Sequence, residues 1–166
     1  MVQKIKLIMI RSYLTIIFVL STLVCSAQQK DQLKYFIGEW SGDGEFASGK
    51  KISADVSFKF QLDSAWVSYQ HTDRPPNRYN ALSVWGFDKS TGKLTSQLFD
   101  NFGGSRKFTG AGWDNNKFVL DLDAPKPPNQ RFIYERIDHN SFRMTFETSQ
   151  DGNTWKMVDY LVFKRR

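Results

Sequence analysis

Residues Lys51–Leu62 read KISADVSFKFQL. Ile52, Ala54, Val56, Phe58, Phe60 and Leu62 fall on one parity, and Lys51, Ser53, Asp55, Ser57, Lys59 and Gln61 on the other. Apolar residues at every second position scatter around a helix, but they make one continuous face of a pleated strand. The stretch therefore predicts an antiparallel strand with one side in a core and the other in water. Moving outward, Phe142, Met144 and Phe146 alternate with Arg143, Thr145 and Glu147 in the same way. The last segment repeats the pattern with Trp155, Met157, Leu161 and Phe163.

Turn chemistry divides the rest. Asp63-Ser64, Asp88–Gly92, Gly103-Gly104, Asp114–Asn116, Asp138–Asn140 and Asp151–Asn153 carry residues that bend a chain for backbone reasons. Two longer connections hold proline, Asp73–Asn80 (DRPPNRYN) and Ala124–Gln130 (APKPPNQ). Between these signals ten strands are expected, at 39–46, 51–62, 65–72, 80–87, 93–100, 105–113, 117–123, 131–137, 141–148 and 154–164. After Gln28 only Asp31–Ile37 supports a short helix, with Asp31 as N-cap, Leu33, Phe36 and Ile37 on one face, and Gly38 as terminator. The fold class that follows is all-β, an up-and-down antiparallel barrel of about ten strands with a short N-terminal helix. Hairpin links join every neighbour, and closure removes the exposed sheet edges.

The beginning of the chain reads as an address. Lys4, Lys6 and Arg11 precede an apolar run from Leu14 to Val24, and Cys25-Ser26-Ala27 places small residues at a cut before Gln28. This is the pattern of a secretory signal peptide. The run falls short of the ~20 residues a membrane-spanning helix needs. The expected division is a signal at 1–27 and a barrel domain at 28–166, exported to the periplasm or the extracellular space, with no transmembrane segment after removal. A lipid anchor at Cys25 is the alternative, but Val24 and Thr22 fit that signal poorly. Without Cys25 the remaining chain has no thiol chemistry.

Charge then changes meaning. The 166 residues hold 23 Lys and Arg against 17 Asp and Glu, a net charge of +6. Removing Lys4, Lys6 and Arg11 leaves 20 bases against 17 acids, a net +3. No basic run interleaved with aromatics suggests an RNA platform, and nucleic acid is not an expected partner. With 40% hydrophobic and 15% aromatic residues, one Cys and five Pro, the chain is neither collagen-like, disulfide-rich nor disordered.

The stretch Phe36–Phe46, FIGEWSGDGEF, resembles the opening of lipocalin-like (calycin-type) barrels, whose Gly-x-Trp signature Gly38-Glu39-Trp40 matches. Trp85–Lys93, Phe99–Gly103 and Ser149–Asp159 extend the resemblance to a secreted bacterial barrel family of unknown function. It implies a barrel with a small apolar ligand and no established activity. It also implies a structural role for Gly38 and Trp40, with Lys164 or Arg165 stacked on Trp40 at the closed end. It places the odd-numbered loops at the mouth.

Those loops hold or flank Arg74, Arg78, Arg106, Lys126 and Arg131. They are expected to form a basic rim that steers an anionic amphiphile toward the lumen. Lumen candidates follow from parity. Tyr69 and His71 share the parity of Val67; Arg136 shares that of Phe132 and Tyr134; Asp159 shares that of Met157 and Leu161. Trp85, Phe87, Tyr134 and Phe146 are the aromatic candidates. Arg136 and Asp159 would be buried charges, and so are expected to pair with each other or with a ligand.

No G-x-S-x-G, H-E-x-x-H, Cys-His metal spacing or Walker loop is present, and neither cofactor nor metal is expected. The leading reading is a binding barrel for an apolar or amphipathic molecule. An enzyme with an enclosed site is one alternative, with Tyr69, His71, Arg136 and Asp159 as acid–base groups. A haem-binding barrel of the nitrobindin type is another. Those barrels ligate haem through a late-strand histidine, and 154–164 contains none.

Overall fold

The computed structural model describes residues 31–166, so the expected signal segment and Cys25 lie outside the described residues. Residues 31–34 form a single helical turn. The rest is strand and connection: β1 (Gly38–Phe46), β2 (Lys51–Gln61), β3 (Trp66–Asp73), β4 (Asn80–Phe87), β5 (Leu94–Asp100), β6 (Ser105–Gly110), β7 (Trp113–Asp114), β8 (Lys117–Leu122), β9 (Asn129–Asp138), β10 (Ser141–Ser149) and β11 (Lys156–Arg165). Every pairing is antiparallel, in the order β6-β5-β4-β3-β2-β1-β11-β10-β9-β8-β7.

Closure comes from a second partner for β8. Phe108 and Thr109 of β6 pair with Leu122 and Asp121, which joins the two ends of the sheet. The wall is a closed antiparallel barrel of ten strands, with β7 as a two-residue flap paired to β8. The expected strand 105–113 breaks here. Gly110 lies so close to the Val119 carbonyl that a Cβ would collide with it, and Gly112 turns the chain at φ 94°.

Alternation decides most side-chain directions. On β2, Ile52, Ala54, Val56 and Phe58 are buried, but Phe60 is half-buried and Leu62 sits exposed in the turn. On β3, Val67, Tyr69, His71 and Asp73 all face inward. Two bulges interrupt the parity. One, at Phe146/Glu147, lets Asp159 pair with Phe146 and Met157 with Glu147, skipping Val158. As a result Leu161 is buried whereas Met157 is exposed. The other pairs Phe142 with Arg136 and turns Ile137 outward.

One end of the barrel is filled. Phe36 is fully buried, with Phe58, Trp113, Phe118, Trp85 and Tyr134 packed around its ring at 5.2–5.5 Å between centroids. Such offset and edge-on pairs add to the area each ring removes from water. Beside them the Arg165 guanidinium lies 4.0 Å over Trp40. It donates to the Ile37 and Tyr35 carbonyls at 2.6 and 3.0 Å, and Trp40 Nε1 donates to the Phe36 carbonyl at 2.7 Å. Gly38, at φ 128°, leaves room for that guanidinium. The stacking expected of Trp40 with Lys164 or Arg165 is made by Arg165.

Among the described residues, no helix is long and apolar enough to cross a membrane.

Candidate functional site

Above the aromatic plug the barrel is hollow. A cavity of about 380 Å³ lies toward the end where β1–β2, β3–β4 and β5–β6 connect, with Asn77, Arg78, Tyr79 and Phe102 at its mouth. This volume is in the range of small-molecule sites. Trp85 and Tyr134 form its floor against the plug, and Leu98, Leu120, Phe132, Met144 and Phe146 supply much of its apolar wall.

The polar wall is built on β3. A strand puts residues i, i+2 and i+4 on one face, so Tyr69, His71 and Asp73 form an inward row. The Tyr69 hydroxyl lies 2.9 Å from His71 Nδ1, and His71 Nε2 lies 2.8 Å from Asp73 Oδ1. In the neutral ring the tyrosine donates to Nδ1 and Nε2–H donates to the carboxylate. All three side chains are buried. Burial holds the Tyr69 and Tyr134 phenols well above their ordinary value.

Asp159 enters the same cavity from β11. Burial, reinforced by the charge of Asp73, lifts its carboxyl from an ordinary 3.8 to about 7. Desolvation penalises the ionised form, and a like charge nearby adds to the penalty.

The structure brings Tyr69, His71, Trp85, Tyr134, Phe146 and Asp159 together around one cavity. Two lumen candidates lie elsewhere. Arg136 does face inward, but at the filled end, with its guanidinium 4.2 Å over Tyr35 and 4.3 Å over Trp113. It therefore does not pair with Asp159, and its Nε has no hydrogen-bond partner. Phe87, at the end of β4, is half-buried and does not line the cavity.

The rim is also less basic than expected. Only Arg78 and Arg106 reach the cavity. Arg106 is tied to Asp100 at 2.7 Å. Arg74 clamps the outer face, 2.8 Å from Asp43 and 3.7 Å from Asp55. Arg131 binds Glu147 at 2.6 Å and stacks 3.9 Å over Trp155. Lys126 is exposed and away from the cavity. Three of the five bases are thus already neutralised by carboxylates.

The sequence pattern puts Asp73 in the proline-containing connection, whereas the structure makes it the last, buried residue of β3. Extending the Val67, Tyr69, His71 parity by one further step finds it.

Fold and cavity together define a closed ten-stranded antiparallel barrel with a partly apolar, open-mouthed lumen. Among solved structures it is similar to Rv2717c from M. tuberculosis, with a TM-score of 0.60 and 16% identity over 81% of this chain and 97% of that one. A protein of unknown function from the DUF3598 family of Nostoc punctiforme PCC 73102 aligns over 83% of this chain and 99% of its own, with 7% identity and a TM-score of 0.25. The first likeness concerns the fold alone, and the second is too distant to bear on it. No protein-family model and no curated protein matches the chain.

Proposed function

We propose that this chain is an exported, lipocalin-like barrel that binds a small apolar or amphipathic molecule in its lumen. The observation that carries this reading is the cavity of about 380 Å³ between an aromatic floor and an open mouth. An interior meant only for stability would be packed to the density of the filled end. The Gly38–Trp40–Arg165 arrangement supports the lipocalin-like part, and the 1–27 pattern supports export. Ion pairing leaves Arg78 as the unneutralised base at the cavity mouth among the described residues, so an anionic head group has little to meet below the rim.

Native mass spectrometry of the protein purified from its own source tests the reading. A copurifying small molecule at one per chain is expected. Protein that is empty and fails to bind any apolar probe would overturn it.

A catalytic reading draws on the Tyr69–His71–Asp73 row, three acid–base groups in hydrogen-bonded series beside a cavity. The haem reading loses ground, because both ring nitrogens of His71 are engaged and His139 is exposed in a turn.

A further inference from the structure

The polar atoms of the lumen gather in one sector. Between β3 and β11 the inward positions of β2 and β1 include Ala54 and Gly42, paired with each other, and Gly44, paired with Leu161. Where Ala54 and Gly42 pair, little side chain separates β3 from β11; nearer the mouth Ile52 and Phe46 stand between them. The His71 and Phe163 rings come within 6.5 Å. Asp159 and Asp73 line the same cavity, and Asp159 feels the charge of Asp73.

The two carboxylates are not equivalent. Asp73 accepts from His71 Nε2. No hydrogen bond or ion pair engages the Asp159 carboxylate among the described residues, and the charge acting on it is that of Asp73. No base offsets it. Arg106 is committed to Asp100, and Arg78 is exposed at the rim.

We propose that the ligand carries a protonated amine on an apolar body, and that Asp159 is its counter-ion inside the lumen. This rests on the ligand-binding reading above and deepens it. A half-buried carboxylate without a partner in an apolar cavity is costly, and a cation set against it removes that cost and the repulsion from Asp73 together. An anionic head group would add a third negative charge to the same sector. A neutral hydroxyl would gain one hydrogen bond and leave the charge uncompensated. The apolar wall of Leu98, Leu120, Phe132 and Met144 takes the body of the ligand.

The test is calorimetric titration of the full 166-residue chain at pH 8 with octylamine, octanol and octanoate, which share a tail and differ in head group. Octylamine is expected to bind about 10-fold tighter than octanol, as charge-assisted bonds do, and octanoate weakest. In Asp159→Asn the amine-to-alcohol ratio is expected to collapse to about one. Octanol binding with no preference for the amine would overturn this inference and leave the binding barrel standing. So would an amine preference that survives in Asp159→Asn. Failure of all three to bind would overturn both readings. The wild-type series needs no variant to fold.

Discussion

Asp159 makes a stability prediction whose sign changes nothing about binding but tests the same geometry. A carboxyl whose pKa rises from 3.8 to about 7 on folding is easier to ionise in the unfolded chain than in the barrel. Below pH 3.8 it is protonated in both states and costs nothing. Between 3.8 and 7 the unfolded chain ionises first and stability drains away, and above 7 the full cost is in place. A shift of this size corresponds to about 4 kcal/mol at 1.36 kcal/mol per unit. Because the side chain borders an open cavity that admits water, about 2 kcal/mol is the expected observable, still a large part of a domain's stability. Asp159→Asn keeps the shape and removes the charge. Urea unfolding at pH 4, 6 and 8 should show the variant level with wild type at pH 4 and about 2 kcal/mol more stable at pH 8. The two proteins differ only at this carboxyl, so the difference between the curves isolates Asp159. A difference that stays flat with pH, or a variant less stable at pH 8, would refute the placement of this carboxylate in a desolvated site beside Asp73.

Other perturbations probe other parts. Phe36→Ala empties the centre of the aromatic plug and should cost about 3–5 kcal/mol in urea unfolding; a loss under 1 kcal/mol would mean that the plug does not depend on it. Arg165→Met keeps a side chain over Trp40 but removes the cation and both carbonyl bonds. It should cost about 1–3 kcal/mol, with a change in tryptophan fluorescence. Ala81→Trp fills the cavity from β4 and should abolish binding of an apolar probe while the circular dichroism of the sheet persists. Retained binding would move the ligand site out of the lumen.

The barrel was legible because alternation is a local property. Lys51–Leu62 declares its inward face without reference to any partner, and turn residues at the ends of each run set the hairpins. Nine of the ten expected strands appear within two residues of their predicted ends. The tenth, 105–113, was misread because nothing local says that Gly110 must pass close to the Val119 carbonyl. That contact joins residues from different strands and exists only once the barrel closes.

The site was legible only as far as parity carries. Parity places a side chain inside or outside, but it does not say at which height in the barrel. Arg136 illustrates the limit: it faces inward as expected, yet 4.3 Å from Trp113 at the filled end, where aromatic faces rather than Asp159 balance its charge. The height of a residue depends on register, and register depends on bulges. Skipping Val158 turns Met157 outward, whereas Asp159 stays in regular register, opposite Phe146 on one side and Phe46 of β1 on the other, at the level of the mouth. Asp73 reaches the same sector through its pairing with Ala54, one step from Gly42. Asp159 continues the alternation of Leu161 and Phe163, and Asp73 that of Tyr69 and His71, so both carboxylates end on the cavity wall. Deleting Val158 should close the bulge from the turn side and leave Asp159 opposite Phe146 and Phe46, so the pH-dependent gain of Asp159→Asn should persist. A gain that disappears in the deletion background would show that the bulge, and not the ladder to β1 and β10, positions the acid.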